Sequence, residues 1–480
     1  MKITTLLILL FLFTSCLSDK NKNSNTIAME VPTIETDLCF AIDSIRFCED
    51  KTDSFCPKLP LDVYYLNSKD GQFQNGYSST LSPNTQPSFA NFSWQSFIAL
   101  NWPADSNGNP VGELNENTNN KRVWEYYTDA STVFNSAPKG VTNLNTTQGK
   151  KILHLSSKNP ESIQVSEFLE ADDYPLIDRN LNFVVFEEKM NSIEELFITK
   201  NNLTTKEGIY NYKKKHGDFQ LPTNTDKKVG AMEIKASWRI IDTSKGDDAS
   251  LFFTREATIF VDADNSISGQ SFTIDCTIGL VGLHILRKTK KFNNWVWSTF
   301  EHVDNVPDNV QEAQTDQETN WSFYNPECLN CAPNTPPQHI AGDTLSNGTV
   351  VYRWNTTAPY GARYGVTVAG EANGKAFGTQ VTRVYPVYYC TEQLNSIWQS
   401  KLKALGSVFA NYKLVGTQWM LPLDAPPFSK INAPFFLGNT TAETYMQDSA
   451  SCISCHDFAT VKYNGETIKT DFSFLFSKAK

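Results

Sequence analysis

The chain has 480 residues, of which 40% are apolar and 12% aromatic, a composition that supports a substantial core and argues against disorder. Its net charge is −10 at pH 7, and no basic stripe exists to replace the counterions of a nucleic acid, so we expect no nucleic-acid partner. This length allows two or three domains, or one large β-rich domain with elaborations.

The N-terminus combines one positive charge with a short apolar run, residues 3–13, followed by Thr14-Ser15 and Cys16. This pattern predicts a signal peptide over residues 1–15, since the run is too short to span a bilayer. The small pair before Cys16 resembles the lipobox of bacterial lipoproteins, with Phe13 in place of the usual Leu. The resemblance implies cleavage before Cys16 and acylation of that cysteine. Ordinary cleavage with an incidental cysteine is the alternative.

An acylated Cys16 would anchor the chain in the bacterial cell envelope, facing the periplasm or the cell surface. The polar residues 18–25 would then form a tether. Residues 16–60 form the lipid-anchored tether together with a segment that contains three closely spaced cysteines.

The next predicted part is a β-rich body over residues 61–385. Apolar residues at helical spacing predict a helix over residues 88–100, which Pro103 terminates. Strands then follow strands without intervening helices, which favours an antiparallel β-sandwich or a barrel-like body, mainly β with some α. The predicted strands begin at residue 183 and cover 232–241, 251–261, 271–288, 294–304 and 349–354.

Residues 386–480 are predicted to form a helical C-terminal segment. Apolar residues recur at helical spacing over 391–410, and the Pro-rich stretch 421–434 indicates an extended connector. Thr440 and Glu443 have the spacing of a capping box, which predicts the start of a short helix.

The cysteines fit an oxidising compartment. Apart from Cys16 and two near the C-terminus, seven remain, and this odd number leaves at least one outside intramolecular disulfides. Cys328 and Cys331 are expected to form a structural disulfide, because no helix start or βαβ pattern indicates a redox dithiol.

The most specific motif is Cys452-Ile453-Ser454-Cys455-His456, which has the C-x-x-C-H pattern of c-type haem attachment. In that pattern two thiols form thioethers with one haem, and the adjacent histidine becomes the proximal iron ligand. With 10 Cys and 6 His in 480 residues, chance would produce the pattern about 0.003 times. A small disulfide or half of a zinc site is the alternative, but no Cys or His follows His456. We therefore expect one covalent haem c, attached through Cys452 and Cys455 and ligated by His456.

The sixth ligand of that iron is not evident, because neither Met nor His follows His456. This departs from small electron-transfer cytochromes c and is similar to cytochromes c prime and to β-sheet c-type haem proteins with a C-terminal haem. The resemblance covers only about the last forty residues and implies a distal side open to small ligands. The upstream candidates for a distal ligand are His154, His216, His284, His302, His339, Met190, Met232, Met420 and Met446.

His302 is the candidate for distal acid/base work. Strand alternation puts it on one face with Asp304, while Glu301 lies on the other, and an imidazole near a carboxylate can transfer protons. A strand end with solvated polar residues is an equal alternative, and His284 in an apolar strand is more typical of a core residue. Residues 279–305 faintly resemble long bacterial cytochrome c family proteins.

Three functions remain open at this point. The first is a haem oxidoreductase with an open distal site, acting on peroxide, oxygen, a nitrogen oxide or an organic substrate. The second is an electron-transfer cytochrome with a redox partner protein, or a haem-based ligand-binding lipoprotein. The third is a glycan- or polymer-binding surface lipoprotein that carries a haem. The size of the body favours the first, because moving one electron does not need so large a chain.

Overall fold

The predicted fold class, mainly β with some α, is confirmed in a computed structural model. The structure describes residues 39–49, 53–66, 85–115, 120–134, 150–155, 168–169, 174–218, 220–290, 295–316, 318–344, 348, 350–367, 375–420, 432–434 and 436–480. The signal peptide, Cys16 and the tether lie outside these residues. Residues Leu38–Lys480 belong to one compact unit.

Helices and strands occur along the whole described part of the chain. The helices are α1 (Thr85–Leu100), α2 (Ala130–Val133), α3 (Ser192–Lys200), α4 (Lys206–His216), α5 (Val310–Thr315), α6 (Tyr389–Ala404) and α7 (Cys452–His456). The first strands are β1 (Thr128–Asp129), β2 (Lys151–Leu155), β3 (Val185–Met190), β4 (Met232–Ile240), β5 (Thr254–Val261), β6 (Phe272–Lys288) and β7 (Trp295–His302). The later strands are β8 (Val366–Thr367), β9 (Ala376–Phe377), β10 (Tyr412–Met420), β11 (Asn432–Ala433), β12 (Thr460–Tyr463) and β13 (Glu466–Lys469).

One sheet dominates the described residues. Its nine strands run in the order β1-β3-β4-β6-β7-β10-β11, with β5 on β6 and β2 on β5. All its pairs are antiparallel except β2 with β5. The long strand β6 pairs with three strands, because its first half lies beside β5 and its second half lies between β4 and β7. The sheet stays open, so the barrel-like alternative is wrong.

The two sides of this sheet differ in what covers them. On the side that we call the helix face, α1 and α6 bury an aromatic core in which Trp94 and Phe97 contact Phe300 of β7. On the opposite side, the C-terminal face, residues 436–480 lie against the alternate residues of β7, which include Trp297 and Thr299. The central strands are therefore buried on both sides.

Three local predictions are wrong, each because a turn or a tertiary contact overrides the periodicity. Helix α6 ends at Ala404, since Gly406 has a φ of +66° that continues no helix, and the chain returns as β10. Of the predicted strand 349–354, the described residues 350–354 form only isolated bridges. The segment after Thr440 consists of turns, and Glu443 accepts a hydrogen bond from the Asn439 backbone N–H at 2.7 Å.

The disulfide prediction for Cys328 and Cys331 is confirmed. Cys48 pairs with Cys56, while Cys39 reaches Cys390 at the start of α6 and ties the N-terminal loop to the helix face. Cys276, Cys452 and Cys455 are thiols, and Cys276 accounts for the expected odd cysteine. No helix among the described residues is long and apolar enough to cross a membrane.

Candidate cofactor site

The C-x-x-C-H motif forms the short helix α7, which is fixed to the C-terminal face by its first residues. Ser451 is its N-cap and accepts a hydrogen bond from the Ser454 backbone N–H. Gln418 of β10 accepts a hydrogen bond from the Ile453 N–H at 2.8 Å. Ile453 is buried in an apolar cluster with Trp297, and this contact sets the depth at which the helix lies.

His456 is oriented by a backbone carbonyl. Its Nδ1 lies 2.6 Å from the oxygen of Phe472, so that Nδ1 carries the proton and donates it to this acceptor. That tautomer leaves the lone pair on Nε2. Histidines that bind metals almost always donate their other ring N–H in this way, which fixes both tautomer and ring direction.

The carbonyl of Phe472 is held by a strained turn. Asp471 and Phe472 have φ values of +52° and +66°, a conformation that side chains with a Cβ rarely adopt. Asp471 is anchored by an ion pair with Lys288 of β6 at 2.7 Å, and its backbone oxygen accepts a hydrogen bond from Trp295 Nε1. The surrounding contacts therefore impose the turn, and the turn places the acceptor for His456.

The electrostatic environment keeps the side chains of Cys452 and His456 neutral. Burial lowers the pKa of His456 to about 4, so its imidazole is uncharged at neutral pH. Burial, with the charge of Glu443 as a second cause, raises the pKa of the Cys452 thiol well above its usual value. The rings of Trp297 and Phe474 flank His456 at centroid distances of 5.8 and 5.1 Å.

These residues fit the chemistry of a c-type haem. Two thiols precede a neutral histidine whose Nδ1 is bonded and whose Nε2 has no hydrogen bond among the described residues. Cys452 and His456 keep part of their surface accessible, although the protein around them desolvates both. In the described ranges no three or more His, Cys, Asp or Glu side chains gather as a metal site. Haem iron takes most of its ligands from the porphyrin, so the motif requires no such cluster.

His302 lies on the helix face, away from His456. It is fully buried, its Nε2 lies 2.9 Å from the Leu251 oxygen, and its Nδ1 accepts a hydrogen bond from the Asp304 N–H. Its ring stacks on Phe252, and burial lowers its pKa to about 4. Both ring nitrogens are thus engaged in holding the end of β7.

Glu301 has structural hydrogen-bond partners, and Asp304 is partly buried. Glu301 points to the C-terminal face, where one oxygen lies 2.6 Å from Arg383 and the other accepts the Thr440 N–H. Asp304 follows the end of β7, and burial raises its pKa. The structure therefore does not bring His302, Glu301 and Asp304 together as one group.

His284 is the histidine that shares the C-terminal face with the motif. In the sheet register it lies between Lys235 of β4 and Thr299 of β7. Its Nε2 is buried without a hydrogen bond among the described residues, and Glu443 Oε2 lies 3.9 Å away. Burial, then the charges of Lys235 and His456, lowers the pKa of His284 to about 3.

Of the remaining upstream candidates, four lie elsewhere or are enclosed, whereas Met420 is half-buried against the apolar cluster that contains Ile453 and Trp297, and Met446 lies in the turns before α7. His216 is exposed at the end of α4, and His339 is exposed and bonded to Thr344. Met190 and Met232 are fully buried. His154 belongs to β2, and its side chain lies outside what the structure describes.

A pair of buried carboxyl groups lies beneath the same segment. Burial raises the pKa of Glu233 on β4 to about 7, and Ser473, next to Phe472, is its hydrogen-bond partner. Burial, together with the charge of Glu233, raises the pKa of Glu194 at the start of α3 well above its usual value. At least one of the two is therefore protonated at neutral pH.

Sequence reasoning identified the motif but missed its surroundings. Phe472 contributes a backbone atom, which no side-chain pattern reveals, although the Asp471 position after a hairpin marks a turn. His284 was the single polar side chain in an apolar run, and only the register with Lys235 shows which face it occupies. Comparison with protein families, curated proteins and solved structures finds no match to this chain.

Proposed function

We propose that this chain is a mono-haem c-type cytochrome that acts as an oxidoreductase in the bacterial cell envelope. The observation that carries the proposal is the geometry of His456, whose Nδ1 is held by Phe472 directly after two thiols. Bound haem would supply redox chemistry and a coordination position for a small molecule. The protein would attach it through Cys452 and Cys455 and ligate it through His456.

The strained turn supports this assignment. Strained backbone persists only where the surrounding structure imposes it, and such positions cluster at functional sites. Here Lys288 and Trp295 hold the turn, and the turn places the carbonyl of Phe472 as a hydrogen-bond acceptor beside His456.

Covalent attachment is tested by staining denaturing gels for haem peroxidase activity after expression with a haem-attachment system. We expect a stained band for the wild type and for Cys276→Ser, which removes a thiol outside the motif. The double variant Cys452→Ser/Cys455→Ser should lose the stain. A wild-type band without stain contradicts the proposal.

An electron-transfer cytochrome is the second candidate, and His284 is the observation that favours it. A neutral imidazole with a buried, unbonded nitrogen on the motif's face could occupy the sixth position of the iron. An oxidoreductase with an open distal side should bind carbon monoxide when reduced and show high-spin character when oxidised. Low-spin spectra that resist carbon monoxide would favour electron transfer to a redox partner protein.

Membrane attachment through Cys16 is part of the same proposal. Because a single acyl chain binds a membrane only marginally, stable anchoring would need the full lipoprotein modification. Mass spectrometry of the mature N-terminal peptide should find Cys16 as its first residue, carrying the lipid. Cleavage at another position, or an unmodified Cys16, contradicts the anchor and leaves the haem assignment standing.

A further inference from the structure

The C-terminal face carries a cross-strand row of polar residues beside the haem motif. Glu188, Lys235, His284 and Thr299 are consecutive partners on β3, β4, β6 and β7, so their side chains share one face. Thr299 is two residues from Trp297, whose ring contacts His456. The row therefore runs alongside the site.

Glu443 connects this row to α7. Its Oε2 lies 3.9 Å from His284 Nε2, and its charge acts on the Cys452 thiol. The carboxylate is positioned by its hydrogen bond from the Asn439 N–H, and Asn439 is itself bonded to Thr299. His284, Glu443 and Cys452 thus surround one region between the sheet and the C-terminal segment.

That region is partly accessible at its edge, and it costs the fold stability. The side chain of His284 remains 12% exposed and that of Glu443 26% exposed. A buried nitrogen without a hydrogen bond typically costs about 1–3 kcal/mol, and such groups in native structures call for an explanation. His302 shows the alternative, because both of its nitrogens are bonded.

We propose that His284 is the distal residue of the haem site, which would hydrogen-bond and exchange protons with a small polar molecule on the iron, with Glu443 as the neighbouring carboxylate. This inference rests on the proposed function. The molecule belongs to the class of peroxides, oxygen or nitrogen oxides, which have an atom that accepts a hydrogen bond when the iron binds them.

The polar character of the row favours this role over that of a sixth ligand. Hydrogen-bond donors in a distal pocket stabilise bound oxygen-containing ligands and favour their activation. Lys235 places a second donor beside His284, and the carboxylate of Glu443 provides the neighbour that proton transfer uses. If His284 itself ligated the iron, no small molecule would be bound there to accept a hydrogen bond from Lys235.

The test measures the dissociation constant for cyanide in the ferric holoprotein, which reports hydrogen bonding to an iron-bound ligand without turnover. His284→Leu should weaken cyanide binding roughly tenfold to a hundredfold, as expected for a lost hydrogen bond to a charged group. His284→Gln keeps a donor and should weaken it less. His216→Ala, on the exposed end of α4, is the matched control and should bind like the wild type.

Each result separates the possibilities. Haem spectra of the ferric wild type that are low-spin and become high-spin in His284→Leu identify a sixth ligand and overturn the inference. Unchanged cyanide binding in both His284 variants, with normal haem content, overturns it while the haem assignment stands. If His284→Leu does not fold, His284→Gln and Glu443→Gln carry the test. A wild type without covalent haem overturns the proposed function and this inference with it.

Discussion

His302 and His284 lie in the same sheet, on adjacent strands, and differ in which face they occupy. His302 points to the helix face and is fully enclosed, with Leu251, Phe252 and the Asp304 backbone satisfying it. His284 points to the C-terminal face, keeps a partly accessible ring and has an unbonded nitrogen. The two histidines therefore have different partners because their side chains point to opposite faces of one sheet.

The largest expected effect distinguishes His456 from His302. His456→Ala should abolish normal iron ligation, because it removes the imidazole that directly follows the two thiols and is oriented by Phe472. The optical spectrum of purified holoprotein checks this, with His302→Ala as the comparison. An unaltered spectrum in His456→Ala would show that another residue ligates the iron.

His302→Ala should act on stability. It removes a buried ring that stacks on Phe252 and leaves the Leu251 oxygen without this partner, so we expect a loss of about 2–4 kcal/mol in the free energy of unfolding. Denaturant titration measures the loss. Haem content per folded molecule should not change. A variant of unchanged stability with a strongly altered haem spectrum would instead indicate that His302 acts at the haem site.

Most of the strands could be predicted from the sequence, because their alternation or apolar runs are strong. The alternation in β4 identified its two faces, with Glu233, Lys235, Ser237 and Arg239 together on one of them. In the structure the C-terminal segment covers part of this face, where Ser237 bonds Thr441 at 2.8 Å, while Arg239 pairs with Asp178 and Asp247. Alternation gives the faces of a strand and says nothing about what covers them.

The candidate site was predictable only as far as its covalent motif. The spacing of Cys452, Cys455 and His456 is local, so the sequence contains it entirely. The distal side depends on the pairing of β6 with β4 and β7, which brings together residues far apart in the chain. From the sequence, His302 was open between a site role and a solvated strand end, and in the structure it is buried and bonded to backbone atoms.

The buried carboxyl pair destabilises the C-terminal face as the pH rises, whereas His302 on the helix face, with its lowered pKa, acts in the opposite direction. The folded pKa of Glu233, about 7, lies above its unfolded value of 4.5, so the stabilisation is complete below pH 4.5 and is lost as the pH rises through 7. Relative to Glu233→Gln, the wild type should lose on the order of 2 kcal/mol over this interval.

Denaturant unfolding of both proteins at a series of pH values measures this difference. Comparison with the variant cancels the contributions of the histidines, which have lowered pKa values and act in the opposite direction. A constant difference between wild type and Glu233→Gln across the interval would show that Glu233 ionises normally in the folded protein.

The smallest effect concerns the contact between the sheet and the segment that carries Glu443. A Cβ on Gly282 would lie 2.4 Å from Ser237 Oγ and 2.5 Å from Thr441 Oγ1. Gly282→Ala should therefore destabilise the fold by about 1–2 kcal/mol and shift the segment. Thermal unfolding measures the loss. Equal stability of Gly282→Ala and wild type would mean that the contact is looser than described.

The central claim is that residues 452–456 carry a covalent haem ligated by His456. Mass spectrometry of the tryptic peptide that spans residues 431–462, from protein expressed with a haem-attachment system, tests it most directly. We expect a peptide whose mass is increased by one haem, with both cysteines refractory to alkylation after reduction. A peptide of unmodified mass, with Cys452 and Cys455 both alkylated, would contradict it.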